Sequence, residues 1–254
     1  MAAVRRLTRR ASRQAERRFV VEGPQGVREA LAGPGLLELF VVEDRHPELV
    51  AAARRRGVVV TAVSEPVMSA MAETVTPQGI LGLAALLDVQ LEVALAGSPR
   101  LVVVLDGVAD PGNAGTVLRT AVAAGADAVV FAGGAVDPHN GKCVRASAGS
   151  LFHLPVSCTA SLSGSVELLR GCGLQVLATS GAGESDLDDL ADGGDLDRPT
   201  AWVFGSEAHG LDAAALAIAD RRVRVPLHGR AESLNLAAAA AICLYASARA
   251  HRPR

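Results

Sequence analysis

LVVVLDGVADPGNAGTVLRTAVAAGADAVVFAG, residues 101–133, decides the fold. It opens on an unbroken apolar run, 101–105, and closes on another, 128–132, with a helical pattern between them. A strand that is apolar at every position has no wet face, so it belongs in a parallel sheet covered by helices on both sides. Strand, helix and strand in this order are the repeating unit of an α/β domain. In the helical part Ala114, Val117, Leu118, Ala121 and Val122 recur at helical spacing and make one apolar stripe. Arg119 lies roughly 120° from the centre of that stripe, so it points away from the core.

Working outward, further apolar runs at 175–178, 201–204 and 223–227 continue the pattern. They predict a doubly wound parallel-sheet α/β domain over residues 101–254, with the acidic, Gly-rich stretch 183–198 as an exposed loop. Upstream the rhythm differs. Short apolar runs at 36–42 and 58–63 alternate with helical patterns at 47–56 and 65–71. Thr76-Pro77-Gln78-Gly79 is a turn signal before a strand-like run at 80–87. Residues 19–90 are therefore read as a small αβ domain, and 91–100, which contain Gly97-Ser98-Pro99, as a linker.

Residues 1–18 stand apart as a basic arm. Arg5, Arg6, Arg9, Arg10, Arg13, Arg17 and Arg18 face a single acid, Glu16. Such an arm suits phosphate contacts. A solvated terminus and an Arg-rich transit peptide are the other readings.

Half of the 254 residues are apolar and a fifth charged, an ordinary globular balance, while aromatics at 3% leave the core to Val, Leu, Ile and Ala. A net charge of −2 says nothing of a polyanionic partner, so only the local distribution of charge is informative. No apolar run suits a secretory signal or approaches the roughly 20 residues of a membrane span. Cys143, Cys158, Cys172 and Cys243 lack paired spacing, which argues against a metal site and a disulfide framework. A cytoplasmic location without membrane attachment is the expectation.

Ligands of doubly wound sheets bind beyond the carboxyl ends of the strands. Three such exits are unusual here. At the first, Pro111-Gly112-Asn113 opens the helix that carries Arg119, with Gly112 or Asn113 expected near its cap. The second is Gly205-Ser206-Glu207-Ala208-His209-Gly210, where a glycine allows close backbone approach. Glu207 and His209 are polar groups facing a ligand or turn residues, and His209 is read as a turn residue. At the third, Ser233 is read as the cap of a helix over 234–248 that contains five consecutive alanines, 237–241, and Asn235 sits in its first turn.

Together, in this order, the three exits closely resemble the signature motifs of the SpoU (TrmH-type) branch of the SPOUT RNA methyltransferases. The resemblance rests on Asn113-x-Gly115-x-x-x-Arg119, on Gly205-x-Glu207-x-x-Gly210, and on Ser233-Leu234-Asn235 before the alanine-rich helix. RASAGSLFHLP, 145–155, matches a segment between the first two motifs, and Val21-Glu22-Gly23 with Thr76-Pro77-Gln78-Gly79 looks like the family's L30e-like RNA substrate-binding domain.

Membership would bring a deep trefoil knot in the α/β domain and S-adenosyl-L-methionine as methyl donor. The reaction would be 2′-O-methylation of a ribose, and the protein would be a homodimer. Carried over position by position, Thr179, Gly205, Val225 and Leu234 would line the cofactor site, with no metal. Arg119, Asn113, Glu207, Ser233 and Asn235 would form the catalytic group. Ribosomal RNA, 23S in particular, is favoured over tRNA by the family's habit, with drug-site modification as one variant. Two rivals compete with this reading. A nucleotide-dependent enzyme is disfavoured because neither G-x-G-x-x-G nor G-x-x-x-x-G-K-[ST] is present. A non-catalytic RNA- or ribosome-binding protein would use the same arm and small domain.

Overall fold

The apolar runs 101–105 and 128–132 become parallel neighbours joined by a helix, every position of both runs buried. They belong to a computed structural model that describes residues 1–33 and 35–252 and divides into two units.

The first unit holds residues 1–87 and 137–153. Its elements are α1 (Ala2–Arg6), α2 (Arg10–Glu16), β1 (Arg18–Glu22), α3 (Pro24–Ala32), β2 (Leu36–Val42), α4 (Pro47–Arg55), β3 (Val59–Val63), α5 (Glu65–Met71) and β4 (Ile80–Ala85). The sheet runs β1-β4-β2-β3, with β4 antiparallel to both its neighbours and β2 parallel to β3. Helices α3, α4 and α5 each carry a proline in the first two positions, where the missing N–H costs nothing. Val4 and Leu7 are buried with Met68, Met71, Phe40, Leu81 and Leu83, so the N-terminal residues are part of this core.

Arg13, read as one of seven phosphate-binding arginines, is committed elsewhere. Its guanidinium donates from Nε and Nη2 to Asp137 Oδ2 at 2.9 and 2.6 Å, and from Nη1 to the carbonyls of Leu7 and Thr8. The Asp137 carboxyl is buried, which alone would raise its pKa. Hydrogen bonds from His139 and Arg13 and the Arg13 charge outweigh burial and hold it well below the usual carboxylate range. His139 Nε2 accepts from the Leu87 N–H at 3.0 Å, which leaves the ring proton on Nδ1, 3.3 Å from Asp137.

The second unit, residues 88–136 and 154–254, begins with α6 (Leu91–Ala94). Leu91, Ala94 and Leu95 sit in the same buried cluster as Val102, Val104, Val176 and Val203, so the segment expected to be a linker is packed. There follow β5 (Leu101–Asp106), α7 (Pro111–Ala123) and β6 (Ala128–Ala132). The chain then contributes residues 137–153, with α8 (Gly141–Ala146), to the first unit, where Phe152 stacks on Phe19. It returns for β7 (Val156–Cys158), α9 (Leu162–Gly171), β8 (Gln175–Thr179), β9 (Ser185–Asp186), α10 (Leu187–Asp192), β10 (Thr200–Phe204), α11 (Ala213–Ile218), β11 (Arg221–Arg224) and α12 (Leu236–Ala250).

The sheet order is β7-β6-β5-β10-β8-β11-β9, and every pairing is parallel. The expected parallel-sheet α/β domain with a small N-terminal αβ domain is the fold observed. Three local expectations change. The run at 223–227 forms a strand only at 221–224, because Pro226 has no N–H for a ladder. Residues 183–198 are structured, with Leu187, Leu190 and Leu196 buried. The short strands β7 and β9 extend the sheet beyond the apolar runs.

Candidate active site

The centre of the sheet places the exits of β5 and β10 side by side, and those of β8 and β11 next to them. At the first exit Asp110, not Gly112 or Asn113, caps α7: its Oδ1 accepts from the Asn113 N–H at 2.8 Å. Pro111, with its fixed φ, takes the first helical position. Because Asp110 does the capping, the Asn113 side chain is available to other groups.

At the second exit a side chain on Gly205 would collide with the backbone of Gly210 and Leu211. The intervening loop is closed by paired bonds, Ser206 N–H to Gly210 O at 3.1 Å and Gly210 N–H to Ser206 O at 2.9 Å. This closure projects Glu207 toward α7. Its carboxylate accepts from the backbone N–H groups of Ala109 and Asp110, both at 3.2 Å, and from Asn113 Nδ2 at 3.0 Å. Partial burial pushes the Glu207 carboxyl up, but the Asn113 amide and these backbone donors outweigh it and hold the pKa below its ordinary value.

At the third exit Asn235, not Ser233, is the cap of α12, which starts two residues later than expected. Asn235 Oδ1 accepts from the N–H groups of Ala237 and Ala238 at 2.9 and 3.4 Å. Its Nδ2 therefore faces outward and donates to Asn113 Oδ1 at 3.2 Å. The amide orientations are mutually fixed: the carboxylate only accepts, so Asn113 shows it nitrogen and shows Asn235 oxygen. One hydrogen-bonded chain, Asn235 to Asn113 to Glu207, thus ties the three exits together.

That chain borders a cavity of about 590 Å³. Asn113, Glu207, Ser233 and Asn235 line it, and so do Thr179, Gly205, Val225 and Leu234. The Thr179 hydroxyl is committed to the Val203 carbonyl at 3.1 Å. Val223, Leu227 and Leu236 add apolar wall. His209, read as a turn residue, lines the cavity too, together with Ser180 and Glu232, which the sequence did not single out. The volume and the mix of apolar walls with a few polar groups suit a nucleoside-sized ligand.

Arg119 is the exception. It is exposed on α7, outside the cavity lining, and makes no hydrogen bond or ion pair among the described residues. Its neighbour one turn on, Ala123, belongs to a second, apolar groove of about 540 Å³ between α7 and α12. Ile242 and Tyr245, 42% and 63% exposed, form its other wall with Ala241 and Ala246. Among the described residues no His, Cys, Asp and Glu cluster could hold a metal, and no helix is long and apolar enough to cross a membrane.

The profile of the SpoU rRNA Methylase family matches residues 100–245, and that of the MRM3-like substrate binding domain matches residues 2–82. The 23S rRNA (guanosine(2553)-2′-O)-methyltransferase RlmP of Bacillus subtilis (strain 168) is 38% identical over 227 residues, 89% of this chain and 87% of the relative. The AdoMet-bound rRNA methyltransferase of Sinorhizobium meliloti superposes with a TM-score of 0.85 at 32% identity, covering 98% of this chain and 93% of that one. The SpoU methyltransferase AviRb of Streptomyces viridochromogenes, also in complex with AdoMet, gives a TM-score of 0.87 at 27% identity, covering 98% and 96%.

Proposed function

The chain belongs to the SpoU rRNA methylase family, and on that footing we propose that it methylates a ribose 2′-hydroxyl of 23S ribosomal RNA with S-adenosyl-L-methionine as donor. The observation that carries the reading is the Asn235–Asn113–Glu207 chain at the rim of a cavity lined by all four cofactor-site candidates. Relatives named for 23S rRNA 2′-O-methylation and structural neighbours holding AdoMet support it.

The donor fits the residues present. Val225, Leu234 and their apolar neighbours would hold an adenine ring, and backbone groups at Thr179 and Gly205 would meet its edge. When bound, S-adenosyl-L-methionine supplies an electrophilic methyl carbon on a positively charged sulfur. The protein is left to position the hydroxyl and help remove its proton. Positioning is worth roughly 7–11 kcal/mol in favourable systems, and proton transfer about 10²–10⁴-fold. Asn113, Glu207, Ser233 and Asn235 shape the ribose end of the cavity. Arg119 is a poor base, since a guanidinium titrates above about 12. Its role is electrostatic: it binds a phosphate or the alkoxide that develops as the 2′-oxygen attacks.

The functional form is a homodimer. Arg119 lies outside the cavity of its own chain, and it shares a helix face with the apolar groove of α7 and α12. A second copy covering Ile242 and Tyr245 brings Arg119 of one subunit toward the site of the other. A cytoplasmic location goes with this reading.

Calorimetric titration with S-adenosyl-L-methionine, paired with mapping of ribose methylation on 23S rRNA exposed to the protein, tests this reading. Binding and one new methylated ribose are expected. Absence of cofactor affinity reduces the protein to an RNA binder.

A further inference from the structure

The first unit contains a pocket that the methyl-transfer site does not use. It has a volume of about 250 Å³ and is lined by the two motifs that carried the resemblance of the small domain, around Glu22-Gly23 and Thr76-Pro77-Gln78, together with Thr74 and Arg145. Arg145 arrives on α8, in the segment 137–153 that joins this unit from later in the chain.

The Glu22 carboxylate organises the pocket. One oxygen accepts from the Glu73 N–H at 2.7 Å, and the other from the Thr74 N–H and hydroxyl at 3.3 and 2.8 Å. Both oxygens are therefore occupied, and the loop 73–78 is fixed in place. Gly23, at φ +88°, permits this approach, since a Cβ there would lie 2.8 Å from Gln78 Oε1. Glu22 and Glu73 both hold Arg145, at 3.5 and 3.2 Å, and both through Nη1. Among the described residues nothing bonds to Nη2 or Nε, so the Nε–Nη2 edge of a guanidinium that borders the pocket is unused. At the tip of the fixed loop Val75 is 100% exposed.

Two carboxylates around one guanidinium make a poor phosphate site. The volume lies below the roughly 300–1,000 Å³ of sites for larger ligands. A neutral, planar group with acceptors for an arginine fork fits better, and RNA offers one in an unstacked base. Guanine presents O6 and N7 as a pair of acceptors matched to Arg. We propose that this pocket takes a single unstacked guanine of the RNA substrate, with Arg145 on its O6/N7 edge, Thr76 and Gln78 as polar rim, and Val75 against the neighbouring base. The proposal rests on the RNA-methyltransferase reading above.

The test uses the full chain and three fluorescein-labelled hexanucleotides: all-uridine, uridine with one central guanosine, and uridine with one central adenosine. Fluorescence anisotropy should show the guanosine form binding roughly five- to a hundredfold more tightly than the other two, the range of one bidentate base contact. Arg145→Lys should abolish the preference while leaving the weak affinity for all-uridine. Thr76→Ala/Gln78→Ala, at exposed positions that do not support the fold, should reduce the preference even if Arg145→Lys misfolds. Equal affinities for all three probes, or a preference unchanged in the double variant, overturns the proposal. The same preparations titrated with S-adenosyl-L-methionine separate the two readings. Cofactor binding without base preference defeats the guanine pocket alone, while absent cofactor binding defeats the methyltransferase reading.

Discussion

The Asn113 amide donates to the Glu207 carboxylate at 3.0 Å across two strand exits that lie 94 residues apart in sequence. Its other face accepts from Asn235, so a single side chain joins all three loops of the site. Asn113→Ala should leave the fold intact, since the group is on the cavity rim. Loss of a hydrogen bond to a charged group, about 1.5–3 kcal/mol, should lower kcat/KM roughly ten- to a hundredfold in a methyl-transfer assay.

Arg119→Ala should keep S-adenosyl-L-methionine affinity within error and lose methyl transfer by roughly 10²–10³-fold, the cost of removing an electrostatic group aimed at developing charge. Arg119→Lys should recover part of the rate. Wild-type turnover in the alanine variant, on RNA the parent protein methylates, would end the assignment.

Gly205→Ala introduces a methyl group where the backbone of Gly210 and Leu211 already lies. The loop must move, at about 1–3 kcal/mol or more, and Glu207 moves with it. The cofactor Kd should rise while the circular dichroism spectrum stays that of the parent.

The apolar face of α7 and α12 can be tested without touching the cavity. Tyr245→Asp with Ile242→Asp should convert a dimer into a monomer by sedimentation velocity, and methyl transfer should fall with it. A monomeric parent protein, or a fully active monomeric variant, would refute completion of the site by a second copy.

Asp137→Asn removes the carboxylate that pairs with buried Arg13, and an uncompensated buried charge costs about 3–5 kcal/mol. The pH dependence has a definite sign. The Asp137 carboxyl is held below its unfolded value, so its contribution is complete above about pH 4 and is lost as the pH falls through the lower folded value. Denaturant midpoints between about pH 4 and pH 2 should fall less steeply in Asp137→Asn than in the parent.

Much of this was legible in the residues. Strands buried on both faces announce themselves as unbroken apolar runs, and the turn and helix residues at each exit marked the three loops that converge. What escaped was set by partners distant in sequence. Arg13 reads as one more surface arginine until Asp137, 124 residues away, is seen against it. Which residue caps α7 or α12 depends on which of several neighbouring acceptors turns inward, and composition cannot choose among Asp110, Gly112 and Asn113. Strand β7 has three residues, one of them the buried Ser157, too few to show a period. The guanidinium of Arg119 was correctly placed on an outward face. It lies outside the cavity that the other site candidates line.

The excursion of residues 137–153 into the first unit makes this chain resistant to division. A fragment starting at residue 88 would carry Phe152, His139 and Arg145 without the surfaces that receive them. A fragment ending at residue 87 would leave the buried Arg13 without its carboxylate partner Asp137. A cut at residue 87 therefore separates contacts that a chain crossing between the two units three times brings together, and splitting this protein there leaves both pieces short of partners.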